Sequence, residues 1–164
     1  VIYFCRVQRK QLEIPAKLQE IIGEKCCRKY IGEWNSLRLG FGEKIVHSNE
    51  RLCTAFYGEW EIGTYFANWE ITQHGQLILN KKSNSTSVKL QQQLDLIDLC
   101  CITKIELDHA SGGVNFMFAH DLTACFYPRD ELEMQDIDIV HAFLPNKKYV
   151  EFHPTSGWKI ETLD

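Results

Sequence analysis

The sequence predicts an α+β domain: a mostly antiparallel sheet or partial barrel carrying two helices. Three observations predict it. The stretch from Tyr57 to Ile71 is dense in aromatic and β-branched residues, which favour a pleated, half-buried backbone. Short alternating apolar runs separated by Gly, Asn, Asp and His turns recur from residue 102 to the end. Only two stretches carry apolar residues at helical spacing.

Taken in order, Val1 to Cys5 reads as a strand and not as a signal peptide, because Arg6 interrupts the apolar run and no basic region precedes it. Ile14-Pro15 then opens a helical pattern in which Ile14, Leu18, Ile21 and Ile22 share a face and Pro15 suits the first turn. Gly23 offers an early stop, but Cys26, Cys27, Tyr30 and Ile31 continue the apolar stripe, so the helix is expected to end near Tyr30. Extended, glycine-interrupted pieces follow at 37–42 and 44–47, and strands are expected at 52–57, 60–66, 68–72 and 76–79, with His74-Gly75 as a turn. Gly40, Gly42, Gly58 and Gly63 lie among strand residues, where glycine marks bulges or close backbone approach.

The polar loop 80–87 ends in residues suited to cap a second helix, with Leu90, Leu94, Ile97 and Cys101 on one face. A three-stranded meander follows, with strands at 102–107, 114–119 and 122–127 turning at His109 to Gly113 and at His120-Asp121. Strands at 137–144, 149–153 and 158–161 complete the chain. A length of 164 residues is that of one domain, and neither a repeat nor a linker divides it, so residues 1–164 are expected to form a single domain. The four tryptophans are expected to pack in the core and sheets, Trp34 being the one most open to solvent.

Composition narrows the function. The longest apolar run falls well short of the roughly 20 residues that span a bilayer, so no membrane partner is expected. Seven cysteines, an odd number with two adjacent pairs, fit neither a disulfide framework nor a zinc site, which points to free thiols in a reducing cytosol. There is no phosphate-binding glycine loop, nucleophile elbow or metal-spaced histidine pair; no enzyme activity, cofactor or metal is expected.

Charge is uneven. Residues 1–82 hold 12 Lys/Arg against 9 Asp/Glu, whereas residues 83–164 hold 6 against 13. The excess peaks at Asp130, Glu131, Glu133, Asp136 and Asp138, beside apolar Leu132, Met134 and Ile137, a composition that repels nucleic acid and attracts basic partners. The Lys/Arg of the first half read as a solvated helix face.

The phrase Gly58-Glu-Trp-Glu-Ile-Gly-Thr-Tyr-Phe-Ala-Asn-Trp-Glu-Ile71, followed by a hydrophilic loop and helix, a meander, Phe143-Leu-Pro145 and Gly157-Trp158-Lys-Ile, resembles small bacterial immunity proteins of polymorphic and contact-dependent growth inhibition toxin systems. The resemblance covers about residues 52–164 and rests on packing phrases. It implies a cytoplasmic protein that binds a cognate toxin domain, commonly a nuclease. A nuclease is basic where it holds phosphates, so the acidic segment is the expected contact surface: Asp130, Glu131, Glu133, Asp136 and Asp138 first, with exposed Glu59 and Glu61 second. The competing expectation is a small-ligand-binding or hydrolytic domain that uses the mouth of a partial barrel, lined by Trp and Tyr, with His109 or His120 as base.

Overall fold

A computed structural model describes residues 13–48, 56–82, 86–130 and 137–163. Among the described residues, eleven strands form two antiparallel sheets. In chain order they are β1 (Cys26–Ile31), β2 (Leu37–Val46), β3 (Phe56–Gly63), β4 (Asn68–Gln73), β5 (Gln76–Asn80), β6 (Ile102–Asp108), β7 (Gly113–Phe118), β8 (Leu122–Tyr127), β9 (Val140–Leu144), β10 (Lys148–His153) and β11 (Gly157–Thr162). One sheet runs β1-β2-β3-β9-β10-β11 and the other β5-β4-β8-β7-β6. Two α-helices accompany them among the described residues, α1 (Ala16–Gln19) and α2 (Ser87–Asp95). The α+β class and the meander are as the sequence predicts; the expected strand at 1–5 lies outside the described residues.

The sheets share one apolar core. Leu37, Leu39, Phe41, Trp60, Ile62, Val140 and Val150 enter it from the six-stranded sheet, and Trp69, Ile71, Phe116, Phe118 and Phe126 from the five-stranded one. Phe41 stacks on Phe118 across the gap at 6.1 Å between ring centroids, so the layers interlock at their middle.

Two helix expectations need correction. The first helix does not reach Tyr30: only one turn forms, burying Leu18 and Ile21, before Gly23 takes φ +94°. The Gly23 N–H then donates to the Ile102 carbonyl at 2.9 Å, which turns the chain onto the sheets. Beyond it, Cys26 to Ile31 is a strand, because pairing with β2, regular from Arg28 to Ile31, offers a ladder that a short helix without strong formers cannot match. The second helix begins as predicted, with the Thr86 hydroxyl accepting from Lys89 N–H and with Leu90 and Leu94 buried. It ends at Asp95, so Cys101 is not on its face but bridges to Lys25.

Helix α2 protects the open edge of β1. The Gln91 side-chain oxygen accepts from Ile31 N–H at 2.7 Å and its amide donates to the Lys29 carbonyl at 3.0 Å, so one side chain stands in for a neighbouring strand. Lys29 itself donates to the Asp95 and Ile97 carbonyls at the end of α2, where a cation complements the helix dipole.

Candidate functional site

Antiparallel pairing carries alternate residues of the six-stranded sheet to the face away from the core. Two adjacent rows cross all six strands there. One reads Arg28, Gly40, Glu61, Phe143, Tyr149 and Glu161; the other reads Tyr30, Arg38, Gly63, His141, Glu151 and Lys159. Neither row is visible as a motif, because each strand contributes only one residue to it.

Over the β1, β2, β3 and β9 portions of these rows lies an open cleft of about 510 Å³. Its floor dips at glycine. A methyl group on Gly40 would meet the Glu61 carboxylate at 2.6 Å and Arg28 Cβ at 3.0 Å, so Gly40 is the gap through which Arg28 reaches over β2 to Glu61. That ion pair measures 2.8 Å, and both side chains are nearly nine-tenths buried. The other Glu61 oxygen accepts from Gly58 N–H at 2.7 Å, at the bulge where β2 and β3 shift register. Burial outweighs these favourable partners and holds the Glu61 carboxyl above its usual range.

The cations lie on aromatic faces. The Arg28 guanidinium sits 4.8 Å over the Tyr30 ring, and that of Arg38 sits 4.7 Å over Tyr65. Tyr65 also stacks on His141 at 4.3 Å. His141 is buried, and burial together with the Arg38 charge pushes its pKa down to about 3, so the imidazole is neutral at physiological pH. Phe143 and Tyr149 extend the aromatic row toward β11.

At the mouth stands Trp34, 68% exposed, as expected of it. The β1–β2 turn places Trp34 and Asn35 at φ 52° and 54°, a left-handed pair that favours Asn and Gly and costs a bulky L-residue about 1–2 kcal/mol. The turn is held by Gly32 N–H on the Ser36 carbonyl and by Trp69 Nε1 donating to the Asn35 carbonyl at 2.7 Å. Strain of this kind persists where the surroundings over-determine it, and it displays an aromatic ring that the core does not need. Trp34→Asn is therefore expected not to lower thermal stability, the relieved turn offsetting the lost contact with Phe66. A loss above about 1 kcal/mol by denaturant unfolding would show the ring to be structural.

The acidic candidates are dispersed. Asp130, 95% exposed, lies 3.7 Å from Lys82 beyond β8. Asp138 precedes β9 and neighbours Glu151; burial and that second carboxylate raise its pKa. Glu59 is half-buried on β3. The expectation that Glu61 is exposed is corrected: its carboxylate is committed to Arg28 and Gly58, because Gly40 opens the path between them. Glu131, Glu133 and Asp136 lie outside the described residues.

Other candidate chemistry separates as well. Asp121 pairs with His74 at 3.0 Å, and not with its neighbour His120. The Asp108 carboxylate accepts from the Ser111 hydroxyl and Ala110 N–H within its own turn, which lowers its pKa. Burial pushes the Cys26 thiol up to about 11 and Cys125 to about 12, so neither supplies a thiolate at neutral pH. No group of three or more His, Cys, Asp or Glu among the described residues is placed to hold a metal, and no helix among them is long and apolar enough to cross a membrane. Comparison with protein-family models, curated proteins and solved structures finds no match to this chain.

The cleft was missed at the sequence level because Arg28 and Tyr30 fell on an expected helix. The usable signal was the repeated two-residue spacing Arg28-x-Tyr30, Arg38-x-Gly40, Glu61-x-Gly63 and His141-x-Phe143, each placing chemistry on one face of a strand.

Proposed function

We propose that the protein is a cytoplasmic immunity protein that binds and neutralises a cognate, basic toxin domain, a nuclease by preference, through the outer face of its six-stranded sheet. The observation that carries this reading is the exposed, strained Trp34 beside a cleft walled by Arg and Tyr. Trp, Tyr and Arg are the residues that dominate binding energy at protein interfaces, and Trp34 is held out from the fold in the manner of an anchor. The sequence resemblance supports the same class. So does charge: Glu161 and Glu151 lie at the far end of the same two rows, both paired with Lys159, and with Asp138 beside Glu151 they leave that end net acidic toward a phosphate-binding groove.

The test is co-expression of the chain with the toxin domain encoded beside it. Growth rescue and a direct complex are expected, with an association rate that falls as salt rises. Combined neutralisation of Glu151 and Glu161 to Gln, on the same face as Trp34, is expected to slow association severalfold at low salt. Trp34→Asn is expected to weaken the complex at least about tenfold while the protein stays folded. Rescue that survives both changes would remove this surface from the mechanism.

A further inference from the structure

The cleft contains a cation with no carboxylate in ion-pair contact among the described residues; Glu61 acts on it only from a distance. Arg28 is neutralised by Glu61, yet no carboxylate among the described residues pairs with Arg38 one strand away. The Arg38 guanidinium rests on the Tyr65 ring, and its buried Nε has no acceptor; Arg28 Nε is in the same condition. A buried N–H without an acceptor is costly, and both arginines that line this cleft carry one, so its cationic wall is short of acceptors and the guanidinium of Arg38 can take one from outside. Neutral His141 beside Arg38 adds no competing charge.

The rest of the cleft specifies what should carry that acceptor. Its walls include Tyr30, Trp34, Tyr57 and Phe143, with buried Ser36 among the lining residues. A volume near 510 Å³ falls within the roughly 300–1,000 Å³ of small-molecule sites, and a bare inorganic anion would leave most of it unfilled. Aromatic walls around a guanidinium suit a flat ring joined to an anion, since the ring stacks while the fork of Arg pairs with two oxygens.

We propose that the cleft binds a small molecule that joins a planar ring to a carboxylate or a phosphate, with the anion seated on Arg38 and the ring against Trp34. Arg28, fixed by Glu61, positions the wall beside the anion and is not its main partner. The inference stands apart from toxin neutralisation, since it concerns the free protein and requires no partner.

Calorimetric titration of the full chain tests it with four probes: adenosine 5′-monophosphate, indole-3-acetate, adenosine and inorganic phosphate. At least one of the first two is expected to bind saturably with Kd below about 1 mM, with adenosine and phosphate weaker by about tenfold or more. The tighter of the first two identifies the anion as phosphate or carboxylate. Arg38→Met is expected to reduce binding at least about tenfold, and Arg38→Lys to recover only part of it, because Lys keeps the charge but not the planar fork. Trp34→Asn, which suits the turn, serves as a second variant and is expected to weaken ring-bearing probes while leaving phosphate unchanged. Absence of saturable binding by either ring-bearing anion, equal binding of adenosine, or affinity indifferent to both substitutions overturns the proposal.

Discussion

Arg28→Met is expected to lower the unfolding free energy by about 3 kcal/mol, because it strands the Glu61 carboxylate in a nearly buried position. The size of the effect follows from an imbalance already present in the native protein. Glu61 has a guanidinium at 2.8 Å and a backbone N–H at 2.7 Å, and still its carboxyl is held above the usual range. Desolvation therefore costs more than Arg28 returns, so the pair positions groups in the cleft without adding net stability. It follows that Arg28→Met combined with Glu61→Gln should recover most of the loss. The amide removes the buried charge and keeps an acceptor for Gly58 N–H. Denaturant unfolding of the two single variants and the double variant measures the coupling directly.

The pH dependence gives an independent check on that account. With Arg28 gone, the folded-state pKa of Glu61 rises further, so the folded protein binds an extra proton at higher pH than the unfolded chain does. Stability lost at neutral pH should then return in part as pH falls toward the ordinary carboxylate range. A destabilisation equal at pH 7 and pH 5 would assign the effect to lost Arg28 packing over Tyr30 and not to the unpaired charge.

How much of this was legible in the sequence depends on the range of the interactions involved. The meander, the His74-Gly75 turn and the Thr86 cap depend on neighbours within a few residues, and all three are present. The glycines at 40, 42, 58 and 63 mark bulges or close backbone approach, as their strand context implies: Gly42 lies in the β2–β3 bulge, and a methyl group on Gly58 would lie 2.5 Å from Phe41 N. What they make room for was not legible, since Gly40 matters only once β1 and β3 flank it. Cys26 to Ile31 shows the limit most clearly. Its apolar residues satisfy helical spacing, but tertiary pairing with β2 and the Gln91 amide decided for strand. That single choice moved Arg28 from an expected solvated helix face, and Tyr30 from the apolar stripe of the same helix, into a cleft that the acidic candidates did not include apart from Glu61.

Acid should destabilise this protein through His141 by about 2 kcal/mol between pH 7 and pH 5. Its folded-state pKa lies near 3, pushed down first by burial and then by Arg38, against an ordinary value near 6.5. Over that interval the unfolded chain takes up a proton at His141 that the folded protein does not. Stability is thus complete above the unfolded value and is lost as pH falls from about 6.5 toward 3. Glu61 and Asp138 act in the opposite sense, because their raised carboxyl pKa values make the folded state the better proton binder as pH falls. The contribution of His141 is therefore isolated by difference. In His141→Phe, an aromatic ring remains to stack on Tyr65 without a titrating group. The stability difference between native protein and variant should shift in favour of the variant by about 2 kcal/mol from pH 7 to pH 5. A difference that does not change with pH would mean that His141 ionises freely, and hence that water and counter-charge reach it. In that event the cleft would not be the desolvated cationic seat on which the anion site depends.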